Sequence, residues 1–484
     1  MSGPTILFAI DSAETRLLSR YVAEGHLPFL GQFVKNWRIV EGPQHLSEMG
    51  AWTTFWSGIP AVEHGYYCIR RLIPGRYEVE LCHRPLQECP PFWTTMPGSV
   101  SIWDAQEYDP VSSLVGEQLC NWRTSFAERC PPTPTSHPTT LLSEVTERFG
   151  KPARPIAIDL KDTPRTREKN FRLSKERIAT CGRMFREAVE RGDRDLYIFG
   201  CAELHSAGHL CWTYDEEGER RMLELYQDLD RELESVYRLA PAGTQCLAVS
   251  AYGIYANYPL SDVAETILRG LGYQHSPTGD RRQLKDLLPL SVRRKIGEHL
   301  PMKAQEQLIN DNLLNNTDWS KSVAFGMPTL YTGHIRINLR GREPQGIVEP
   351  GEEYKQVVAQ IADDFAQLES PVPTHIRRVA ELNGEIPEHL PDIMISWEES
   401  EQPWEQIKHP RYQAATESHR FHRSTYHSYR GFIGAMDDAV LEGIPPVLDI
   451  PEVAAHLKRI CERDSDIPSV NQTDPGGSQG NGMR

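Results

Sequence analysis

Two histidines four residues apart, His205 and His209, are the first residues of this 484-residue sequence that could carry chemistry. They lie in the segment CAELHSAGHLCW, directly after DLYIFG, which has the length and apolar character of a buried strand. If the segment is helical, residues i and i+4 share one face, and two imidazoles on one face can bind one metal ion. An isolated pair with this spacing also occurs in ordinary loops, so the pair by itself leaves both interpretations open.

The carboxyl ends of three predicted strands define where a site should lie. Asp11 follows the strand TILFAI, His205 follows DLYIFG, and Ala251 follows QCLAVS. In parallel α/β sheets, ligands bind beyond the carboxyl ends of the strands, so these residues are expected at one edge of the sheet. Asp11 could contact a metal ion, orient a water or bind a substrate hydroxyl there. It could also cap the following helix, a common role for Asp.

Amphipathic helices are predicted between the strands. Apolar residues recur at i, i+3 and i+4 in the segments AETRLLSRYVAEG, SKERIATCGRMFREAVERG and RRMLELYQDLDRELESVYRLAP. HIRINL and DIMISW are two further predicted strands. Buried strands that alternate with amphipathic helices indicate an α/β sandwich, with a mostly parallel central sheet flanked by helices.

Length and composition indicate one large globular domain over residues 1–463, since 39% of the residues are hydrophobic and 25% are charged. Residues 66–150 are rich in Pro, Trp and Cys and are predicted to form an irregular insertion. Residues 280–325 are predicted to form a helical cap or insertion. Residues 464–484 have almost no apolar content, so a disordered tail is expected.

Charge and hydropathy exclude several classes of partner. The net charge of -15 argues against nucleic acid. The mean hydropathy of -0.50, without any apolar run near 18 residues, argues against a membrane span. No secretory signal is visible, and the ten cysteines form no C-x-x-C pair, which is typical of reduced thiols. We therefore predict a cytoplasmic protein whose substrate is an anionic small molecule, bound through local cations or a metal.

Four segments, taken in order, resemble the alkaline phosphatase superfamily in its type I phosphodiesterase and nucleotide pyrophosphatase branch. They are the first strand ending in Asp11, SEMGAWTTFWSGIPAVEHGYY (Ser47–Tyr67), Gly208-His209, and TYHSYRGFIGA (Thr425–Ala435). SGIPAVEHG is similar to the branch's T-G-x-x-P-x-x-H-G motif, with Ser57 in place of Thr. The resemblance spans most of residues 5–450 and implies an alkaline-phosphatase-like sandwich whose insertions form a cap.

The resemblance implies a site with two metal ions, usually zinc, and a Ser or Thr nucleophile between them. One ion is held by an Asp-x-x-x-His pair and a late His, which correspond here to His205, His209 and His427. The other is held by the first-strand Asp and by a Ser-Asp-His-Gly motif, which here reads SAYG, so that only Asp11 remains. The resemblance therefore implies a reduced site with one Zn²⁺ and three imidazoles, in the form of a catalytic zinc site.

The nucleophile and the substrate contacts follow from the same resemblance, with alternatives open. The family spacing falls on Glu48, and Ser47 lies one residue earlier. Ser47 is the first candidate for the nucleophile, whereas Glu48 could act as general base for a water, or zinc-bound hydroxide could attack directly. Tyr252 could donate to a developing oxyanion or simply fill the space of the lost metal. Arg430, three residues after His427, could bind an anionic substrate or be solvated.

Three functions fit these residues. The first is a metal-dependent hydrolase or transferase acting on a phosphate, phosphodiester or related ester. The second is a degenerate, non-catalytic member of the family that binds a ligand or partner. The third is a biosynthetic enzyme that uses the scaffold to transfer a different group. Because one fold hosts many functions, the fold alone does not separate them.

Overall fold

The structure is a computed structural model. The structure describes residues 3–42, 49–68, 70–82, 85–122, 133–151, 163–213, 215–256, 263–277, 302–328, 333–370, 372–380, 386–398, 406–415 and 425–462. Ser47, Glu48 and the predicted tail at 464–484 therefore lie outside the described residues.

The described strands number nineteen. They are β1 (Thr5–Ile10), β2 (Arg38–Glu41), β3 (Arg70–Leu72), β4 (Val79–Leu81), β5 (Ser99–Trp103), β6 (Val115–Cys120), β7 (Thr135–His137), β8 (Leu196–Cys201), β9 (Gln245–Ser250), β10 (Gly253–Ala256), β11 (Ala324–Gly326), β12 (Gly333–Ile337), β13 (Thr374–Arg378), β14 (Ile393–Trp397), β15 (Gln406–His409), β16 (Tyr412–Ala415), β17 (Thr425–Ser428), β18 (Arg430–Ala435) and β19 (Val447–Asp449).

The α-helices among the described residues number twelve. They are α1 (Thr15–Ala23), α2 (Gly31–Val34), α3 (Ala51–Ser57), α4 (Ala61–His64), α5 (Leu141–Phe149), α6 (Pro164–Glu190), α7 (Glu203–Cys211), α8 (Glu216–Tyr237), α9 (Val263–Leu271), α10 (Met302–Asn315), α11 (Glu352–Ala366) and α12 (Val453–Glu462). No helix in the described part of the chain is long and apolar enough to cross a membrane.

A nine-stranded mixed sheet forms the centre, in the order β19-β2-β18-β9-β1-β8-β5-β6-β7. The five strands from β9 to β6 are mutually parallel, while β18 runs antiparallel to β9 and β7 antiparallel to β6. In β1, Ile6 and Phe8 pack into one hydrophobic core and Leu7 and Ala9 into another. Successive side chains of a strand point to opposite faces, so a strand covered by helices on both sides is apolar throughout. The predicted α/β sandwich is confirmed.

The predicted strands HIRINL and DIMISW belong to a second sheet. Their described parts, β12 and β14, pair antiparallel in the four-stranded order β11-β12-β14-β13. Helices α9 and α11 pack against this sheet in a separate hydrophobic cluster. The chain therefore places a smaller α/β layer between the central strand β9 and the late strand β17.

Residues 66–150 differ from the irregular insertion predicted for them. They supply β5, β6 and β7 to the central sheet, next to β8. The apolar pattern misses β5 and β6 because their buried positions include polar residues that bond to each other. The Ser101 hydroxyl donates to Glu117 Oε1 over 2.8 Å, and the Trp103 indole donates to the same oxygen over 3.1 Å. Within 280–325, the described residues from 302 onward contain α10, and the helical cap or insertion stays a prediction.

Candidate metal centre

Helix α7 positions the first two histidines. It begins two residues after β8 ends, so the segment is helical and His205 and His209 share one face of it. Their side chains point inward, with residue exposures of 7% and 8%, and their ring centroids are 5.1 Å apart. The strand-to-helix turn thus places both imidazoles at the carboxyl edge of the central sheet, where α/β proteins bind ligands.

Strand β17 brings the third histidine from 218 positions further along the chain. β17 pairs antiparallel with β10, and His427 lies opposite Ile254 in that register. Gly208, on α7, packs so closely to Ile254 that an added Cβ would lie 2.7 Å from its side chain. Because of this close packing, α7 lies near the paired strands β10 and β17, and the histidines of α7 and β17 can contact each other.

The three imidazoles form one group. One ring nitrogen of each residue lies within 4.8 Å of the nitrogens of the other two. The Nε2 atoms of His209 and His427 are 3.1 Å apart. Ring centroids of His205 and His427 are 4.7 Å apart, and those of His209 and His427 are 4.8 Å apart. Three buried imidazoles with converging nitrogens form a donor set that could hold a metal ion.

The spacing of the His209 and His427 nitrogens fits a divalent metal. Zn–N bonds of about 2.0–2.1 Å at a tetrahedral angle place two imidazole nitrogens about 3.3 Å apart, close to the 3.1 Å between His209 and His427. Imidazole is a preferred ligand of zinc, copper, iron and nickel. Three protein ligands leave a position for water or substrate, as catalytic zinc sites require.

The contacts that the Nδ1 atoms of His205 and His427 make also match those of metal-binding histidines. His205 Nδ1 lies 2.9 Å from Asp11 Oδ2, and His427 Nδ1 lies 3.4 Å from the Gly253 carbonyl oxygen. Histidines that bind metals generally donate their other N–H to a carboxylate or backbone carbonyl, which orients the ring. Asp11 thus contacts an imidazole of the group from outside it.

In the family that the sequence resembles, the residue corresponding to Asp11 binds a second metal ion. Here aromatic rings lie next to Asp11. Asp11 Oδ1 accepts a 2.9 Å hydrogen bond from Trp52 Nε1. The ring of Tyr252 is buried, with its centroid 4.9 Å from that of His427 and 6.4 Å from that of Trp52. Among the described residues, the three histidines are the one group of this kind. The second metal of the family therefore has no ligand set in this part of the chain.

Glu14, which the sequence did not single out, contacts Ser428, the residue after His427. Its carboxylate is fully buried and accepts a 2.8 Å hydrogen bond from the Ser428 hydroxyl. An added Cβ on Gly253 would lie 2.4 Å from the same carboxylate. Burial raises the pKa of Glu14, while the nearby Arg16 opposes that shift. No sequence signal marks this residue, because a Glu before a helix is usually solvated.

Glu107 is a second residue that the sequence did not mark. Its carboxylate accepts hydrogen bonds from the backbone N–H groups of Gly50 and Thr53, at 3.0 and 2.9 Å, at the start of α3. The Thr53 hydroxyl donates to it as well, over 3.2 Å. Removal from water, together with the negative charge of Asp11, raises the pKa of Glu107 to about 7 against these hydrogen bonds. A carboxyl group whose pKa is raised toward neutrality therefore lies close enough to Asp11 to be affected by its charge.

His64, the last residue of α4, also contacts α3, and its pKa shifts in the opposite direction. Its Nδ1 accepts from the Tyr66 backbone N–H over 3.1 Å, so Nε2 carries the proton toward the Thr54 hydroxyl at 3.0 Å. Burial lowers the pKa of His64 to about 4. The imidazole is neutral at physiological pH and ties α3 to the turn after α4.

These two groups give a testable dependence of stability on pH. A protonated Glu107 favours the folded state below pH 4.5, and roughly 3 kcal/mol of that contribution is lost as the pH rises to about 7. For His64 the sign is reversed, because roughly 3 kcal/mol is lost as the pH falls from 6.5 to about 4. We expect Glu107→Gln to make the free energy of unfolding rise with pH relative to wild type, and His64→Gln to make it fall.

Urea unfolding of the two variants and the wild type at pH 4.5, 5.5, 6.5 and 7 measures both slopes. Each variant serves as the control for the other, because the two titrating groups both contact α3 and have opposite effects on stability. Slopes of the same sign, or unchanged from wild type, would contradict the assignment of either carboxyl or imidazole.

The remaining predicted site residues are not all brought to the histidines. Arg430 begins β18, its side chain is 60% exposed, and its Nε lies 3.9 Å from Glu41 Oε1. Its role in substrate binding stays a prediction. The same holds for Ser47 and Glu48, which precede α3 and are not described by the structure. Gly50, just before α3, has a φ of 80° and leaves no room for a Cβ against the Tyr66 carbonyl.

Several solved structures have a fold similar to that of this chain. Two crystal structures of phosphonoacetate hydrolase from Sinorhizobium meliloti 1021, with phosphonoformate and with phosphonoacetate, give TM-scores of 0.51 and 0.52. Each is 12% identical, over 95% of this chain and 96% of that chain. Wild-type alkaline phosphatase PafA gives a TM-score of 0.49 at 10% identity, over 95% of this chain and 96% of that chain.

Phosphonoacetate hydrolase is a member of the alkaline phosphatase superfamily, and this chain shares its fold. The resemblance seen in the sequence is confirmed at the level of the fold. No family model matches the sequence, and no curated protein matches it. The chain therefore combines this fold with a three-histidine group.

Proposed function

We propose that this chain is a metal-dependent hydrolase or group transferase that acts on a phosphate or phosphodiester-type ester of a small molecule. One Zn²⁺ would be held by His205, His209 and His427. The observation that carries the proposal is the convergence of three buried imidazoles, from α7 and β17, at the carboxyl edge of the sheet. The fold shared with phosphonoacetate hydrolase adds support, because that protein was crystallised with phosphonate ligands.

A divalent cation in such a site supplies Lewis-acid polarisation of a phosphoryl oxygen. The chain's own residues would do the rest. The Tyr252 ring lies against His427, from where its hydroxyl could donate to charge that develops on the substrate. Ser47 is the proposed nucleophile and Glu48 the alternative general base, both just before α3. Burial around the histidines limits the entry of water and strengthens electrostatic interactions within the site.

Metal analysis and a substrate panel test the proposal. We expect about one zinc per purified chain, and hydrolysis of phosphate monoesters or diesters in preference to sulfate esters. Ser47→Ala should lower kcat by a factor on the order of 10³ or more if Ser47 forms a covalent intermediate. The matched control is Ser57→Ala, since the Ser57 hydroxyl donates to the Thr53 carbonyl within α3. A chain that binds no divalent metal would sink the proposal.

A further inference from the structure

We propose that Asp11 is a positioning residue that fixes the tautomer of His205, and that it is not a metal ligand. This inference rests on the proposed metal site. Asp11 follows β1 and is 4% exposed. Its Oδ2 lies 2.9 Å from His205 Nδ1, and its Oδ1 accepts from Trp52 Nε1 over 2.9 Å. The two carboxylate oxygens therefore face two different ring nitrogens.

The chemistry of imidazole explains what this contact does. A neutral imidazole has one N–H and one nitrogen with a lone pair. When His205 Nδ1–H donates to Asp11, Nε2 carries the lone pair that a metal ion requires. His427 follows the same pattern, since its Nδ1 faces the Gly253 carbonyl while its Nε2 faces His209. Asp11 thus selects the form of His205 that can complete the three-histidine group.

Because Trp52 also donates a hydrogen bond to residue 11, a carboxylate suits this position and an amide does not. Both neighbours of Asp11 present N–H donors, and an ionised carboxylate accepts from both. An Asn side chain has one acceptor and one NH₂ group, so it can satisfy only one of them. If its oxygen accepts from Trp52, its NH₂ faces His205 Nδ1, which must then accept. The His205 proton would move to Nε2, where it competes with the metal.

This account leads to a rescue experiment on the full-length chain. We expect Asp11→Asn to weaken the binding of Zn²⁺ and Co²⁺ about 10–100-fold, the usual effect of losing such an outer contact. Trp52→Phe alone should change the affinity less than about threefold. In the double variant, the indole N–H is gone and the amide can turn its oxygen to His205. Its affinity should therefore return to within about threefold of Trp52→Phe.

The affinities are measured by competition with a chromophoric chelator, and the absorption spectrum of bound Co²⁺ reports the ligand set. The matched control is Asp215→Asn at the exposed N-cap of α8, where Asn also caps well and no change is expected. The Co²⁺ spectrum of Asp11→Asn should keep the wild-type form. A changed spectrum would show a lost ligand and overturn the inference, as would an unchanged affinity or a double variant without rescue.

A measurement on the wild type covers the case in which Asp11→Asn does not fold. Long-range ¹H–¹⁵N NMR of the zinc-loaded chain should show His205 protonated at Nδ1, and the opposite tautomer would overturn the inference. Failure of the proposed function is distinguishable. If the wild type binds no divalent metal, the metal site itself is wrong, whereas metal binding that is indifferent to Asp11 contradicts only its positioning role.

Discussion

Substituting alanine for His427 is expected to lower the affinity of the chain for Zn²⁺ by more than about 100-fold. Losing an outer contact of a metal ligand typically costs 10–100-fold, so losing one of three direct ligands should cost more. His427 is the informative choice because it lies on β17, whereas His205 and His209 both lie on α7. The zinc content and the chelator competition should both report the loss.

The matched control is His26→Ala, because the His26 side chain is 39% exposed and lies 3.5 Å from Glu24, near the end of α1. Thermal unfolding adds an independent measurement. Zinc at 100 times its Kd should stabilise the wild type and His26→Ala by about 2.7 kcal/mol and His427→Ala by almost nothing. Equal stabilisation of all three proteins would mean that zinc binds elsewhere.

Trp52→Ala should have the largest effect on stability, a decrease of about 3–5 kcal/mol in the free energy of unfolding. The Trp52 side chain is 1% exposed. Its ring stacks on Trp56 at 5.0 Å and packs edge-on against Phe55 at 5.1 Å. Its removal opens a cavity beside Asp11 and removes the hydrogen bond that Asp11 accepts from the indole N–H.

Urea unfolding of the metal-free protein measures this effect without a contribution from ligand binding. Trp37→Ala is the control, because Trp37 packs on Phe432 at 5.2 Å but is only partly buried. Its cost should be clearly smaller, since less apolar surface is exposed and the surroundings can relax. Similar losses for both variants would contradict the central position of Trp52 in this core.

The strands that position the site were predictable from short-range pattern. β1, β8 and β9 are continuous apolar runs because helices cover both faces of the parallel sheet. β5 and β6 were not predicted, because they contain two buried polar residues, Ser101 and Glu117, which are hydrogen-bonded to each other. In the sequence, each of these two polar residues is typical of an exposed position, because its hydrogen-bond partner lies 16 residues away.

The sequence by itself determined the α/β sandwich, the spacing of His205 and His209, and the absence of Asp and His from SAYG, the segment that corresponds to the Ser-Asp-His-Gly motif. Each of these depends on neighbouring residues along the chain or on one local motif. Only the tertiary structure decided that His205 and His209 share a helix, that the Nε2 atoms of His209 and His427 lie 3.1 Å apart, and that Asp11 faces His205 and Trp52. Glu14 and Glu107 also became visible only there. The physical reason is that contacts between residues 41 to 414 positions apart depend on how the sheet stacks its strands, and no local pattern encodes that arrangement.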